Sequence, residues 1–397
     1  MKHAFYFRFL KYTHNERLSC ILARMAYCLY MMLFIIKKMQ LKRKPIPLSA
    51  EQAHSYIENI HPKPTYKQEF VNLPIDNNLD LSVIIPVYNY ADVLEETIHS
   101  ILNQDTQYHY EVIFVDDGST DGALDILKKY EVQEKVTVIT QANGGIGAAR
   151  NTGINHAKGK YLMFMDCDDI VHNNIVQIML DRAYAIDADM VIAAHNLVKQ
   201  SNGEITSILP NIYPKTNLIG YKNGDEIMNY PGLPWAKVYK RSLWNNVRFF
   251  PGYWYEDTII HFLLFTQCHK YDYIPEVVYE YKWYEKNFSH IQGHSSNDKA
   301  IDRYWLLVDI LEQCKIIGLP EDHAFYTVVL RHLSIHFYSN IRNLDDNKVT
   351  ALFVLCREIF EKYYKNDRTK LPFILRQIEK SFLDNNIELW KLACCFW

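Results

Sequence analysis

Tyr161-Leu-Met-Phe-Met-Asp-Cys-Asp-Asp169 is an apolar run that stops abruptly in carboxylates at Asp166, Asp168 and Asp169. Its first half reads as a buried strand. Crowded carboxylates repel one another and resist burial unless a cation holds them. On extended backbone the Asp-x-Asp alternation turns Asp166 and Asp168 to the same side. Carboxylates converging at a strand end suit a hard divalent cation, Mg2+ or Mn2+. Such ions commonly take one or two protein carboxylates and fill their remaining positions with water and substrate phosphate. The alternative is a helix N-cap with an acidic first turn, because a helical pattern follows Asp169.

The same texture extends upstream and downstream. Leu81–Val87, Tyr110–Val115, Val136–Thr140, Tyr161–Met165 and Met190–Ala194 read as strands. Ala91–Gln104, a segment ending near Tyr130, another from Gly145 through Arg150 to His156, and Asn173–Ile186 read as helices. This alternation predicts an α/β fold, a mostly parallel sheet with helices on both faces. In such sheets ligands bind beyond the carboxyl ends of the strands. The polar clusters Tyr88-Asn89, Asp116-Asp117 and Asp166–Asp169 all fall there. Gly145-Ile-Gly-Ala-Ala-Arg150 matches a dinucleotide-binding fingerprint only in part, since Arg150 stands where that pattern wants Gly or Ala. Arg150 reads instead as a cation near the acidic edge, either ion-paired with Asp116 or Asp166 or touching a ligand.

Ser82-Val-Ile-Ile-Pro-Val-Tyr-Asn89, Val115-Asp-Asp-Gly-Ser-Thr-Asp121, Asn143-Gly-Gly through Ala149-Arg-Asn151, and Met165-Asp-Cys-Asp-Asp169 follow one another in order. Together they resemble glycosyltransferase family 2, the inverting enzymes of the GT-A nucleotide-diphospho-sugar transferase fold, over about residues 80–200. The resemblance implies a nucleotide-sugar donor and Mn2+ or Mg2+. It implies a donor set of Pro86, Tyr88, Asn89, Asp116, Asp117, Arg150 and Asp166, and a DXD metal pair of Asp168 with Asp166. A UDP-sugar is expected, because Tyr88 and Asp117 at adjacent strand ends can stack on and hydrogen-bond a flat uracil.

Pro234-Trp-Ala-Lys-Val-Tyr-Lys-Arg241 and Phe250-Pro-Gly-Tyr-Trp-Tyr-Glu-Asp257 resemble segments of bacterial surface-polysaccharide transferases. The second implies a general base at Asp257, with Glu256 as its rival. Read without the resemblance, Glu256-Asp257 is the acidic start of an apolar helix over Thr258–Phe265. Trp235, Trp254 and Tyr255 either stack on sugars or pack in a core. His290 and His294 lie on a loop that reaches the diphosphate or simply faces solvent.

The chain has 397 residues and a net charge of -3, which gives no footprint of a nucleic-acid binder. Its eight cysteines include no Cys-x-x-Cys, which argues against a zinc site or disulfide scaffold and fits a reducing compartment. Leu18–Ile36 is apolar apart from Arg24 and is flanked by Arg8, Lys11, Arg17, Lys37, Lys38, Lys42, Arg43 and Lys44. It reads as a membrane span, a helix in the membrane surface, or a helix packed on the protein. Beyond Lys299 the helical segments Tyr304–Leu311, Ala324–Tyr338, Val349–Tyr364 and Phe373–Leu383 carry no chemical motif. Leu389, Trp390, Phe396 and Trp397 are candidates for an exposed apolar contact.

The expected organisation is an N-terminal apolar, basic helical segment with linker (1–78), a GT-A domain (79–298) and a C-terminal helical region (299–397). The domain would divide into a nucleotide-sugar half (79–200) and an acceptor half (201–298). The expected function is sugar transfer to a glycan or lipid-linked acceptor in surface polysaccharide synthesis, in the cytoplasm at the inner face of the cell membrane. One alternative is a sugar nucleotidyltransferase, but Tyr88-Asn-Tyr-Ala-Asp92 lacks the basic triphosphate loop it needs. The other is a non-catalytic glycan-binding or scaffold protein, against which Asp166, Asp168 and Asp257 weigh.

Overall fold

The computed structural model describes residues 16–43, 45–199, 203–208, 232–283, 297–364 and 371–396. His290, His294, Arg8, Lys11, Lys44 and Trp397 lie outside them. Among the described residues two helices come first, α1 (Glu16–Gln40) and α2 (Ala50–Ile60). A capping box starts α2: Ser49 Oγ accepts from Gln52 N, and the Gln52 side chain accepts from Ser49 N.

The chain then alternates β1 (Leu81–Val87), α3 (Leu94–Leu102), β2 (Tyr110–Asp116), α4 (Ala123–Tyr130), β3 (Val136–Thr140), α5 (Ile146–His156) and β4 (Tyr161–Phe164). Strands β3, β2, β1 and β4 lie side by side in that order, all parallel. After them come β5 (Ile170–Val171), α6 (Ile175–Ile186), β6 (Met190–Lys199), β7 (Ile205–Ile208), β8 (Lys237–Lys240) and β9 (Tyr271–Trp283). Here the sheet turns mixed. β8 runs antiparallel to both β4 and β6, β9 runs parallel to β6, and β5 and β7 add antiparallel edges.

β1 is buried along its whole length. Its alternation splits the core: Leu81, Val83, Ile85 and Val87 face the side of α3, α4 and α6, while Ile84 faces α5 and the C-terminal helices. Pairing of β1 with β4 ends at Ile84, so Pro86 removes no ladder bond on that side. Gly153 of α5 sits so close to β1 that any Cβ there would collide with Ile84. That contact lays the helix against the sheet and fixes Arg150, one turn earlier, over the strand ends.

Among the described residues six α-helices follow: α7 (Asp302–Ile316), α8 (His323–His332), α9 (Ile335–Ile341), α10 (Asp346–Tyr363), α11 (Phe373–Leu383) and α12 (Ile387–Cys395). The single helix expected over Ala324–Tyr338 is broken. Ser334 leaves the helical region at φ -133, ψ -89, and its hydroxyl donates to Leu330 O at 2.6 Å. The apolar helix expected over Thr258–Phe265 is instead a 3-10 turn at Glu256–Thr258, a π segment at Ile260–Leu264 and a second 3-10 turn. Ile259, Ile260, Phe262, Leu263, Leu264 and Phe265 are all fully buried, so no single apolar stripe sets the winding.

Two further expectations are corrected. Leu389, Trp390 and Phe396 are buried: Trp390 packs among Tyr338, Phe353 and Phe382, and α1 covers Phe396, with Phe34 meeting Phe373 and Phe396 edge-on at 5.7 and 5.3 Å. Asp169 does not cap a helix, since Asn174 is the N-cap of α6. Its carboxylate turns inward, accepting from Tyr279 OH at 2.6 Å and Lys282 N at 2.9 Å. The α1 helix packs on the protein along one face while Leu18, Ile21, Met25, Leu29, Met32, Ile36 and Met39 stay exposed along the other. It is also long and apolar enough to cross a membrane.

Candidate active site

The carboxyl ends of β1, β2 and β4 open into a cavity of about 1100 Å³. Pro86 and Tyr88 line it after β1, Asp117 after β2, and Asp166 and Asp168 after β4. Asp117 is held by the loop into α5. One oxygen accepts from Gln141 Nε2 at 2.7 Å and Gly144 N at 3.0 Å, the other from Gly145 N at 2.8 Å. Burial nevertheless raises its carboxyl, the loop donors opposing. Gly145 makes this cradle at φ 83°, a conformation that suits glycine.

Asp116 and Asn89 stand behind the wall rather than in it. Asp116 Oδ1 accepts from Ser119 N at 3.2 Å, and its buried Oδ2 has no hydrogen-bond partner among the described residues. Asn89, itself at φ 58°, accepts from Thr120 N at 2.8 Å and so ties the β1 and β2 loops together. Tyr90, which sequence reasoning passed over, lines the cavity, and its phenol is raised by burial and by Asp168 and Asp166.

Arg150 joins the two halves of the site. Its Nη2 donates to Asp166 at 2.8 Å and its Nη1 to Glu256 at 2.5 Å, with the side chain only 3% exposed. Of the two partners proposed for it, Asp166 is the one found, and Glu256 was unforeseen. The ring of Phe249 lies under the guanidinium at 5.3 Å. Glu256 is pushed up to about 7 by burial, with Arg150 pulling down and Asp257 adding to the rise. Asp257, one residue on, lines the cavity without a salt bridge among the described residues. Burial raises it, while Arg303 and Arg150 oppose. Tyr255, just before the pair, takes a left-handed φ of 66° that turns the chain into the 3-10 turn.

The far wall is aromatic. Trp235 stacks on Tyr279 at 4.7 Å and Tyr281 at 5.3 Å, and Trp235, Tyr281 and Trp254 all line the cavity. Beneath it Lys237 is buried, donating to Leu233 O at 2.6 Å, and burial depresses its ammonium to about 7. Sequence named this segment but not Lys237, whose titration depends on burial that only the fold creates.

Among the described residues no cluster of three or more His, Cys, Asp or Glu would hold a metal unaided. The pair that faces the cavity, Asp166 and Asp168, fits a divalent cation that completes its shell with phosphate and water. Asp169 is excluded by its inward bonds.

Residues 82–242 match the family model described as glycosyl transferase family 2. A glycosyltransferase of Streptococcus pneumoniae serotype 4, GlyG, is 31% identical over 212 residues, covering 51% of this chain and 70% of its own. GlyA of the same organism is 28% identical over 243 residues, covering 58% of this chain, which spans only 35% of GlyA. The fold also matches the crystal structure of Staphylococcus aureus TarS residues 1–349 in complex with UDP-GlcNAc, with a TM-score of 0.64 and 19% identity. That match covers 79% of this chain and 90% of the TarS chain. The chain belongs to glycosyl transferase family 2, and with it to the transferase enzymes.

Proposed function

We propose that the protein is an inverting glycosyltransferase that moves a sugar from a UDP-sugar to a hydroxyl of a glycan or lipid-linked acceptor in surface polysaccharide synthesis. The observation that carries this reading is the joining of two carboxylate sets in one cavity, Asp166 and Asp168 from the donor half and Asp257 from the acceptor half. The relatives' names favour sugar transfer, and the UDP-GlcNAc bound to TarS favours the same donor class.

In this reading Tyr88 stacks on the uracil and Asp117 accepts its imide N–H. Asp168, supported by Asp166, would hold Mg2+ or Mn2+, which supplies charge neutralisation for the diphosphate when bound. Arg150 keeps Asp166 in place and neutralises Glu256. That leaves Asp257, one residue on, to take the proton of the acceptor hydroxyl. As that proton leaves, the oxygen bonds to the anomeric carbon from one face. The bond to the diphosphate oxygen breaks on the other, and its electron pair departs with UDP. The Trp235–Tyr281 wall offers a stacking surface for a sugar ring.

The exposed apolar stripe of α1, with Lys37, Lys38, Lys42 and Arg43 at its end, supports a place on the inner face of the membrane. Basic residues near an anionic surface contribute about 1 kcal/mol each. The test of the central reading is to incubate the pure protein with a panel of nucleotide sugars, with and without Mn2+. UDP-sugar turnover that needs the metal is the expected result. Tighter binding of GDP or CMP than of UDP by calorimetry would remove the donor assignment.

A further inference from the structure

A second cavity of about 320 Å³ meets the first at Tyr255 and Asp257, which line both. Its other walls bring together residues far apart in sequence: His261 from the π segment, Arg303 from α7, His332 at the end of α8 and His336 on α9. It reaches the surface at Ser339, which is exposed. Asp257 is its one carboxylate among the described lining residues.

The hydrogen bonds within this cavity leave donors over. Arg303 is buried, and its guanidinium donates to Thr258 Oγ1 at 2.5 Å and sits 3.3 Å from His332 Nδ1. It also lies over the Tyr255 ring at 5.1 Å, yet it has no salt bridge among the described residues. His332 is 2% exposed, and its Nε2 has no hydrogen-bond partner among the described residues. A buried donor or acceptor left unmade costs about 1–3 kcal/mol, so an acceptor reaching His332 Nε2 would gain by meeting it. Size agrees. One water takes about 30 Å³ of liquid, so 320 Å³ is far more than a guanidinium needs for hydration.

The field in the cavity is positive. Burial, then Arg303, hold His332 well below its ordinary value and His336 down to about 3. A group that is welcome beside Arg303 and relieves those imidazoles carries negative charge. The acceptor, whose hydroxyl must reach Asp257, is the molecule that can bring it there.

We propose that this cavity is an anion subsite for the acceptor, in which an oxyanion next to the attacking hydroxyl, a phosphodiester or a carboxylate, binds Arg303, His332 and His336. The assignment rests on the reading of Asp257 as the base. It makes the acceptor an anionic polymer or an anionic lipid-linked glycan rather than a neutral sugar chain. The guanidinium meets two oxyanion oxygens in a planar fork, and the neutral His332 ring, whose Nδ1 faces Arg303, gives its Nε2 N–H to a third.

The test is calorimetric titration of the full chain with inorganic phosphate, glycerol 3-phosphate, glucuronate and neutral glycerol, with and without saturating UDP. Anions should bind at least about tenfold more tightly than glycerol, with UDP present as well as absent. The better of glycerol 3-phosphate and glucuronate identifies the phosphate or the carboxylate source. Arg303→Gln should lose that binding by about tenfold or more. Ser339→Glu, a surface change at the mouth that leaves the core intact, should do the same by repulsion. UDP affinity should stay within about twofold in both. The proposal is overturned if anions bind no better than glycerol, if saturating UDP abolishes phosphate binding, or if Ser339→Glu binds phosphate like the unaltered chain. Failure of UDP itself to bind would overturn the donor reading instead, and the titrations without UDP would still decide the subsite.

Discussion

Replacing Arg150 with Met takes one cation out of the centre of the site and leaves Asp166 and Glu256 without their shared partner. The side chains of Arg150, Glu256 and Asp166 are 3%, 11% and 23% exposed, so water replaces little of what is lost. Removing one member of a buried pair costs about 3–5 kcal/mol, because the other charge is left behind. Here two carboxylates are left, close to Asp257 as well. Protonation limits the penalty. Burial already raises the Glu256 carboxyl, and losing Arg150 raises it further above its unfolded value. A carboxyl whose folded pKa lies above its unfolded one favours the fold at low pH, and that contribution is lost as pH rises through the folded value. The deficit should therefore be larger at pH 8.5 than at pH 5. Urea unfolding of the Arg150→Met variant at both pH values measures it. The Arg150→Met, Glu256→Gln double variant should recover part of the loss. A deficit below about 1 kcal/mol at both pH values, or one that does not change with pH, would refute the clamp.

Asp117→Ala should weaken UDP binding by about tenfold or more while leaving metal affinity nearly unchanged, as read by calorimetry. Phe34→Ala empties a fully buried site between Phe373 and Phe396, so it should cost about 3–5 kcal/mol in urea unfolding. Changing Ile21, Met25, Leu29 and Met32 together to Ser should leave stability near that of the unaltered chain but release the protein from anionic vesicles, measured by co-sedimentation. A quadruple variant that still sediments with the vesicles would count against membrane contact through that stripe. Gly153→Ala drives a methyl into Ile84 and should destabilise by about 1–3 kcal/mol.

The parallel part of the sheet was legible because its signals are local. Strands such as Leu81–Val87 are apolar runs that end in polar clusters, and the chain order of the clusters predicts one sheet edge. The Asp166/Asp168 alternation needed only extended backbone. What stayed hidden depends on contacts between distant segments. Nothing near Arg150 points to Glu256, 106 residues away. Asp169 looked like its neighbours until Tyr279 and Lys282, on β9, turned it inward. Trp390 and Phe396 looked exposed because what covers them comes from other elements, Tyr338, Phe353 and Phe382 around Trp390 and α1, at the other end of the chain, over Phe396. The winding of Ile260–Leu264 is set by burial on every side, which an amphipathic pattern cannot report.

The central claim is that Asp257 is the base and that donor binding is assembled separately, around Asp117 and Asp168. It is tested most directly by measuring UDP affinity and sugar transfer side by side for Asp257→Asn, Glu256→Gln and Asp168→Asn. Asp257→Asn should bind UDP like the unaltered chain and transfer about 10²–10⁴-fold more slowly, the usual worth of a positioned base. Asp168→Asn should lose metal-dependent UDP binding and transfer together. Near-normal transfer by Asp257→Asn, beside an inactive Glu256→Gln that still binds UDP, would contradict the account and move the base to Glu256.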